Sequence, residues 1–286
     1  MLDIDLLMEI QYNLPLTTSP LLDLAENLGR RADEVIRSIR KYKSEGVIKR
    51  YGLNLNYKAF PDVRYAALVG VKADNVEVIA RKINEFDEVK VKHNFLRNDK
   101  FNVWFTIKGK SPSEIEKTVR NIMEKCEIEE YVLLHTKRVY KMDVKYDLNR
   151  GVSWSLRRLE PESVPLVREI GLDEKFVRQL EELDITARPF IKFNDYQEEE
   201  VVSIIEELMS KGIGRDFSGV LRESKIGFKE NGMTVLKVEG GKVEKVALTL
   251  IEKFPQITHL VERTVAREWK YPLYFMVHAT RKEPID

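Results

Sequence analysis

An internal duplication constrains the fold of this chain more than any other feature of its sequence. The stretch YKSEGVIKRYGLNL, which contains Gly46, recurs as LMSKGIGRDFSGVL around Gly212, and 166 residues separate the two glycines. The same separation relates His93 to His259. Self-similarity over this distance predicts two copies of one structural unit. The chain has 286 residues, of which 43% are hydrophobic, so each copy can bury a core of its own.

Each copy is predicted to begin with helices and to continue with a sheet. In the first copy, apolar residues at helical spacing, a start at Pro20 and stops at Gly29 and Gly46 predict three helices followed by a basic strand. This order is typical of a winged helix-turn-helix domain. The next segment alternates as strand, helix, strand, strand, helix and strand, which is the ferredoxin-like order. The fold class is therefore α+β, as a tandem duplication of these two domains.

The second copy departs from the first in two places. The segment DITARPFIKFNDY replaces the middle helix of its winged helix, and Asp286 comes before a last helix and strand of its ferredoxin-like domain. We therefore expect a second copy that is degenerate and truncated. The predicted boundaries are a winged helix at 1–56, a ferredoxin-like domain at 57–148, a linker at 149–165, a degenerate winged helix at 166–222 and a truncated ferredoxin-like domain at 223–286.

Composition narrows the class of protein. The 48 Lys and Arg residues balance 47 Asp and Glu residues, which argues against a surface that follows nucleic acid phosphates throughout. The single cysteine, Cys126, excludes a disulfide framework and zinc sites made of paired cysteines. No apolar run is long enough to span a membrane, so we expect a cytoplasmic protein without a membrane partner. The high content of Lys, Arg and Glu is typical of a thermophile.

A histidine followed four residues later by an arginine occurs in both copies, as His93 with Arg97 and as His259 with Arg263. In a strand such residues share one face, about 13 Å apart, which is too far to hold a single carboxylate. The spacing suits a large ligand with several acidic groups, with arginine as the carboxylate clamp and histidine as proton donor or metal ligand. The alternative is that both histidines occupy half-buried strand positions inherited from a common ancestor.

An aromatic strand follows each pair. Alternation places Phe101, Val103, Phe105 and Ile107 on a core face and Trp104 on the opposite face. That opposite face could stack a flat aromatic ligand, or it could pair two copies of the chain into a homodimer through their sheets. The candidate binding residues on these strands are Asn102, Trp104, Tyr271, Tyr274 and His278.

Several of these stretches resemble a known family. HNFLR followed by FNVWFT, GFKENGM followed by ITHLVER, and WKYPLYFMVH resemble motifs of the siroheme decarboxylases, which are paired or fused Lrp/AsnC-like proteins. The resemblance implies a tetrapyrrole between the ferredoxin-like domains. It also implies loss of carbon dioxide from the C12 and C18 acetates of siroheme, in haem or haem d1 biosynthesis. No added cofactor is implied, and siroheme iron would be the only metal.

The resemblance also implies roles for individual residues. His93 and His259 would act as acid or as iron ligand, Arg97 and Arg263 would hold carboxylates, and aromatic side chains would flank the ring. The sequence departs from the family pattern at Leu260, Val261, Glu262 and Pro272. A carboxylate at position 262 is unfavourable beside an anionic ligand unless it points away.

A transcription regulator is the alternative reading. LLDLAENLG with EVIRSIRKYKSEGVIKRYG resembles the DNA-binding half of Lrp/AsnC regulators. The first winged helix would then contact phosphates and bases as a dimer. A solvated helix face explains the same basic residues. The residues that would bind DNA are Arg30, Arg31, Arg37, Arg40, Lys41, Lys49 and Arg50.

Overall fold

The computed structural model describes residues 2–86, 100–155 and 159–283, together with the backbone of 94–96. Helix starts follow local capping signals: the side chain of Asp3 accepts a hydrogen bond from the Leu6 amide, and that of Ser111 accepts one from the Glu114 amide. No helix among the described residues is long and apolar enough to cross a membrane.

The two winged helices form one body. Strand β1 of the first copy pairs antiparallel with β8 of the second, with Tyr51 opposite Gly219. Buried residues from both copies, among them Ile10, Ile39 and Ile205, belong to one continuous core. The pairing of β1 with β8 and the shared core therefore join the two copies of the winged helix. The elements of this body are α1 (Ile4–Tyr12), α2 (Pro20–Asn27), α3 (Ala32–Ser44), β1 (Ile48–Leu55), α6 (Glu174–Gln179), α7 (Glu198–Ser210) and β8 (Gly214–Leu221).

The first ferredoxin-like domain follows the predicted element order. Its strands pair in the order β3-β4-β2-β5, and the buried side chains of Val69, Phe105 and Val119 form the core between sheet and helices. Strand β2 lies between β4 and β5 and is mostly buried. The elements are β2 (Tyr65–Val71), α4 (Val76–Asn84), β3 (Asn94–Leu96), β4 (Val103–Gly109), α5 (Pro112–Lys125) and β5 (Tyr131–Met142).

The second ferredoxin-like domain shares a strand with the first. The first half of β5 pairs with β2, and its second half pairs with β10, so Thr136 lies opposite Arg263. Strand β11 then lies between β10 and β9, while Leu260 and Leu273 pack with α8. The elements are β6 (Tyr146–Asp147), β7 (Val152–Ser153), β9 (Glu230–Leu236), α8 (Val243–Lys253), β10 (His259–Arg263) and β11 (Leu273–Ala279).

The two sheets pack together through an aromatic cluster that contains Phe101, Trp104, Trp269 and Tyr274. The ring centroids of Trp104 and Trp269 are 4.9 Å apart. The sheet face that we expected to join two copies of the chain is therefore covered by the chain's own second unit. Phe101 packs in this cluster, so its predicted place on the other face was wrong, because it precedes β4 and does not follow the strand's alternation.

Matching registers identify equivalent positions in the two sheets. Gly70 lies opposite Trp104 in the first sheet, and Val235 lies opposite Tyr274 in the second. In the same way, the pair of Ala66 and Lys108 corresponds to Asn231 and His278. These equivalences allow the side chains of the two copies to be compared position by position.

Candidate functional site

Two of the four histidines lie close together on the second sheet. His259 is in β10 and His278 is in β11, and their ring centroids are 6.3 Å apart. Because Leu260, Leu273 and Phe275 pack with α8, strand alternation places both histidines on the opposite face. The Tyr146 ring contacts His278 edge-on at 5.7 Å and closes one end of this group. The sheet thus presents two imidazoles side by side.

Each imidazole makes a hydrogen bond through its Nδ1 atom. Nδ1 of His259 lies 2.9 Å from Oγ1 of Thr258. Nδ1 of His278 contacts Oδ1 of Asn231, which lies directly across from it in β9. His278 is 8% exposed, so its ring orientation is fixed by packing as well as by this contact. Both rings are therefore held in defined orientations.

Arg263 lies at the other end of β10. Its guanidinium donates to Oγ1 of Thr136 at 2.8 Å and lies 5.5 Å from the centre of the Tyr274 ring. Its Nε atom is buried and has no hydrogen-bond partner, and no carboxylate forms an ion pair with it, within the described part of the chain. Burial lowers the pKa of Arg263 from its usual value, whereas Tyr57 and Tyr274 oppose this shift. A partly unsatisfied buried cation favours an anionic ligand.

Glu262 points away from these residues. Its carboxylate forms an ion pair with Lys137 and accepts a hydrogen bond from the hydroxyl of Tyr140 at 3.2 Å. Burial and the nearby Glu262 raise the pKa of Tyr140 to about 12, so its hydroxyl remains a donor. Tyr140 belongs to the core beneath α8, on the other face of the sheet. The sequence departure at this position therefore leaves the histidine face free of negative charge from Glu262.

The predicted aromatic residues gather near Arg263. Nε1 of Trp104 donates to the carbonyl of Phe101 at 2.7 Å, and Nε1 of Trp269 donates to the Tyr274 hydroxyl at 2.7 Å. Tyr271 packs on Trp269 with ring centroids 5.0 Å apart. Burial raises the pKa of Tyr274 to about 12, so its hydroxyl stays protonated. This cluster is mostly apolar and contains the hydroxyls of Tyr271 and Tyr274.

Asn102 has a local structural task as well. Its side chain accepts a hydrogen bond from the Ala73 amide at 2.9 Å and donates one to the Ala73 carbonyl at 2.7 Å. These bonds join the start of β4 to the end of β2. His93 and Arg97, the predicted pair of the first copy, lie outside the described residues.

The basic residues of the first winged helix are largely engaged within the protein. Nε of Arg40 donates to the carbonyl of Ile185 at 2.8 Å, and Arg50 forms an ion pair with Glu181. Both partners belong to the segment that lies between α6 and α7 of the second copy. These contacts disfavour α3 as a DNA-reading helix. The other predicted DNA contacts pair with acidic side chains or are half-buried: Arg30 with Asp3, Arg31 and Arg37 with Asp33, Lys41 with Glu45, and half-buried Lys49.

Sequence reasoning missed the polar partners of the site. Asn231 and Thr258 contact the histidines, and Thr136 and Tyr57 lie near Arg263. Thr258 directly precedes His259 in the chain, which is the one local signal that could have indicated it. Within the described residues, no group of three or more His, Cys, Asp or Glu side chains could hold a metal ion.

Comparison with known proteins agrees with this architecture. A profile of the AsnC-like ligand binding domain matches residues 65–141 and 225–286, and a profile of the siroheme decarboxylase NirDL-like HTH domain matches residues 3–49. The fold and these matches define the chain as a tandem Lrp/AsnC-like protein.

Individual relatives of known sequence indicate the family within the Lrp/AsnC-like proteins. A siroheme decarboxylase from Hydrogenobacter thermophilus is 27% identical over 96% of this chain and 83% of the relative. The siroheme decarboxylase beta subunit of Methanosarcina barkeri is 30% identical over 40% of this chain and 77% of the subunit. The chain belongs to the siroheme decarboxylase family. Its fold is similar to the crystal structure of the siroheme decarboxylase NirDL in co-complex with an iron-uroporphyrin III analogue, with a TM-score of 0.65, 24% identity and coverage of 98% of this chain and 83% of that one.

Proposed function

We propose that this protein is a siroheme decarboxylase that binds an iron tetrapyrrole between its ferredoxin-like domains. It removes the carboxyl groups of the C12 and C18 acetates, as a step in haem or haem d1 biosynthesis. The observation that carries this proposal is Arg263, a half-buried arginine whose Nε atom is buried without a hydrogen-bond partner and which has no acidic partner among the described residues, on the same strand as His259. Family membership supplies the reaction class, and the site supplies the residues.

Arg263 acts as the carboxylate clamp. Leaving a buried cation without a counter-ion is costly, and a ligand carboxylate that accepts hydrogen bonds from Nε and the terminal nitrogens offsets that cost. The interval from His259 to Arg263 along β10 is about 13 Å. A macrocycle with acidic groups on its rim can contact both positions at once. Arg97 has the corresponding role in the first copy.

The aromatic residues hold the ring. The partly buried Tyr271 ring presents flat apolar surface at the Arg263 end, and the fully buried Trp104 ring supports it through Trp269. The protonated hydroxyl of Tyr274 can donate to a carboxylate. Asn102 contributes indirectly, because its hydrogen bond to the Ala73 carbonyl fixes the start of β4. By holding the macrocycle in one orientation, these contacts determine which acetates lie beside the histidines.

The histidines supply the chemistry. When the bond between the acetate methylene and the carboxyl carbon breaks, carbon dioxide leaves and the electron pair stays on the methylene carbon. That carbon takes up one proton and becomes a methyl group, so the reaction balances without an added redox cofactor. His259 or His93 delivers the proton or ligates the iron, and His278 lies close enough to His259 to take part.

An anaerobic titration of the purified protein with siroheme tests the proposal. We expect a shift in the absorbance spectrum, followed by a product whose mass has fallen by two carbon dioxide units. Binding should weaken at least tenfold in Arg263→Leu, which removes a charged hydrogen bond to a carboxylate. His135→Ala is the matched control, because the His135 side chain contacts Glu116 of α5, on the face of β5 opposite to Thr136. Absence of both the spectral shift and the product would overturn the proposal.

A further inference from the structure

The hydrogen bonds of His278 specify where its proton lies. Its Nδ1 contacts Oδ1 of Asn231, and an amide oxygen can only accept a hydrogen bond. Nδ1 must therefore carry the hydrogen in this contact. In a neutral imidazole only one ring nitrogen is protonated, so Nε2 is then the basic nitrogen.

Nδ1 of His259 also carries the hydrogen, and here the acceptor is the hydroxyl oxygen of Thr258. Oγ1 of Thr258 lies 3.2 Å from the carbonyl of Met276, which can only accept. The backbone amide of Thr258 donates to that same carbonyl at 2.9 Å, which holds the residue in place. With the single hydroxyl hydrogen assigned to the Met276 carbonyl, Oγ1 accepts from Nδ1 of His259 at 2.9 Å.

We propose that Asn231 and Thr258 are positioning residues that hold His278 and His259 in their Nδ1–H tautomers. Each ring then offers the lone pair of Nε2, the nitrogen that can ligate iron or take up the proton for the methylene carbon. The catalytic consequence rests on the proposed function, whereas the assignment of the two tautomers stands on the hydrogen bonds alone.

Among the described residues, the first copy has no counterpart of the contact between Asn231 and His278. At the positions equivalent to Asn231 and His278, the first sheet has Ala66 and Lys108. In the sequence, lysine rather than threonine precedes His93. Asn231 is an exposed residue that no apolar core requires. The polar network is thus a property of the second copy, and it predicts that the two halves of the site are chemically unequal.

Nuclear magnetic resonance of protein labelled with ¹⁵N-histidine tests the tautomers directly, since the chain has only four histidines. Long-range ¹H–¹⁵N correlations distinguish a protonated from an unprotonated ring nitrogen. We expect Nδ1–H for His259 and His278. Asn231→Asp keeps an oxygen acceptor and should leave the hydrogen on Nδ1 of His278, whereas Asn231→Leu should allow both tautomers. For His259, Thr258→Ser keeps the hydroxyl acceptor and should preserve the tautomer, whereas Thr258→Val removes the acceptor and should allow both tautomers.

Two outcomes would overturn the proposal: an Nε2–H tautomer of either histidine in the unaltered protein, or no change in tautomer in Asn231→Leu and Thr258→Val. The wild-type spectrum decides the first even if a variant does not fold. With siroheme as substrate, Asn231→Leu should lower kcat about tenfold with KM little changed. Nδ1–H tautomers in a protein that never decarboxylates siroheme would remove the proposed function and leave this assignment intact.

Discussion

The two ferredoxin-like sheets share a strand order and a pairing register but differ in burial. In the first, β2 lies between two strands, and the side chains of Ala67, Val69 and Val71 are completely buried. Its counterpart β9 pairs only with β11 among the described residues, and none of its residues is fully buried. The first sheet therefore has the more tightly packed central strand, while β9 of the second leaves room for exposed polar side chains such as Asn231. Duplication has allowed the copies to specialise.

The largest expected effect concerns a core position that both copies share. Phe105 is completely buried beneath α5, and Phe275 at the equivalent position is only partly buried. We expect Phe105→Ala to lower the free energy of unfolding by about 3–5 kcal/mol, and Phe275→Ala by roughly half as much. Urea denaturation followed by circular dichroism measures both. Equal losses would show that the two sheets contribute equally to stability.

The wing strands give a second comparison. Asp216 in β8 forms an ion pair with Lys145, and Asn54 also donates to it. Burial alone would raise the pKa of Asp216, but Lys145 and the hydrogen bonds outweigh burial and lower it. The equivalent residue in β1, Arg50, makes a more exposed pair with Glu181. We expect Asp216→Asn to cost about 3 kcal/mol and Glu181→Gln at most about 1 kcal/mol.

The same pair predicts a pH dependence. Because the pKa of Asp216 is lower in the folded than in the unfolded chain, its stabilising contribution is present above the unfolded value, about 4, and is lost as the pH falls through the folded value. Urea midpoints measured from neutral to acidic pH should therefore fall less steeply in Asp216→Asn than in the unaltered protein. Parallel curves for the two proteins would contradict the assignment.

A smaller effect is expected where the sheets meet. At Gly70, a Cβ atom would lie 2.6 Å from the Trp104 ring, whereas the equivalent position in the second sheet already holds Val235, opposite Tyr274. Gly70→Ala should therefore destabilise the protein by about 1–3 kcal/mol through overpacking. Thermal unfolding followed by tryptophan fluorescence measures this, with Gly240→Ala as a control at an open position. A stability change as small as that of the control would show that the aromatic cluster can shift.

Local patterns in the sequence predicted most of the elements but few of the long-range pairings. Capping residues, glycine stops and alternation indicated the helices of the first winged helix and the first ferredoxin-like order, because those signals act within a few residues. The pairing of β1 with β8 and the sharing of β5 between two sheets could not be predicted. They join segments separated by more than 100 residues, and no local pattern specifies the partner of a strand.

The candidate site divides in the same way. The sequence indicated His259 and Arg263 for two reasons. Histidine is scarce in this chain and arginine is charged, and the same pair recurs in both copies. Asn231 lies within the GFKENGM stretch but could not be assigned a role from the sequence, because it contacts His278 across strands. The predicted linker likewise contains β7, a two-residue strand whose pairing depends on β6 and β11 and not on its own composition.

The smallest expected effect tests which face of the second sheet carries the site. Leu96 in β3 is the counterpart of Glu262, and Glu262 contacts Lys137 and Tyr140 on the face beneath α8. Glu262→Leu therefore removes a charge on the face opposite the proposed ligand, where Lys137 already balances it, so the apparent Kd for siroheme should change less than about twofold. Tyr140→Phe is the control for loss of the hydrogen bond. If Glu262→Leu instead tightened binding about tenfold, the carboxylate would repel the ligand directly, and the polar face opposite α8 could not be the binding face.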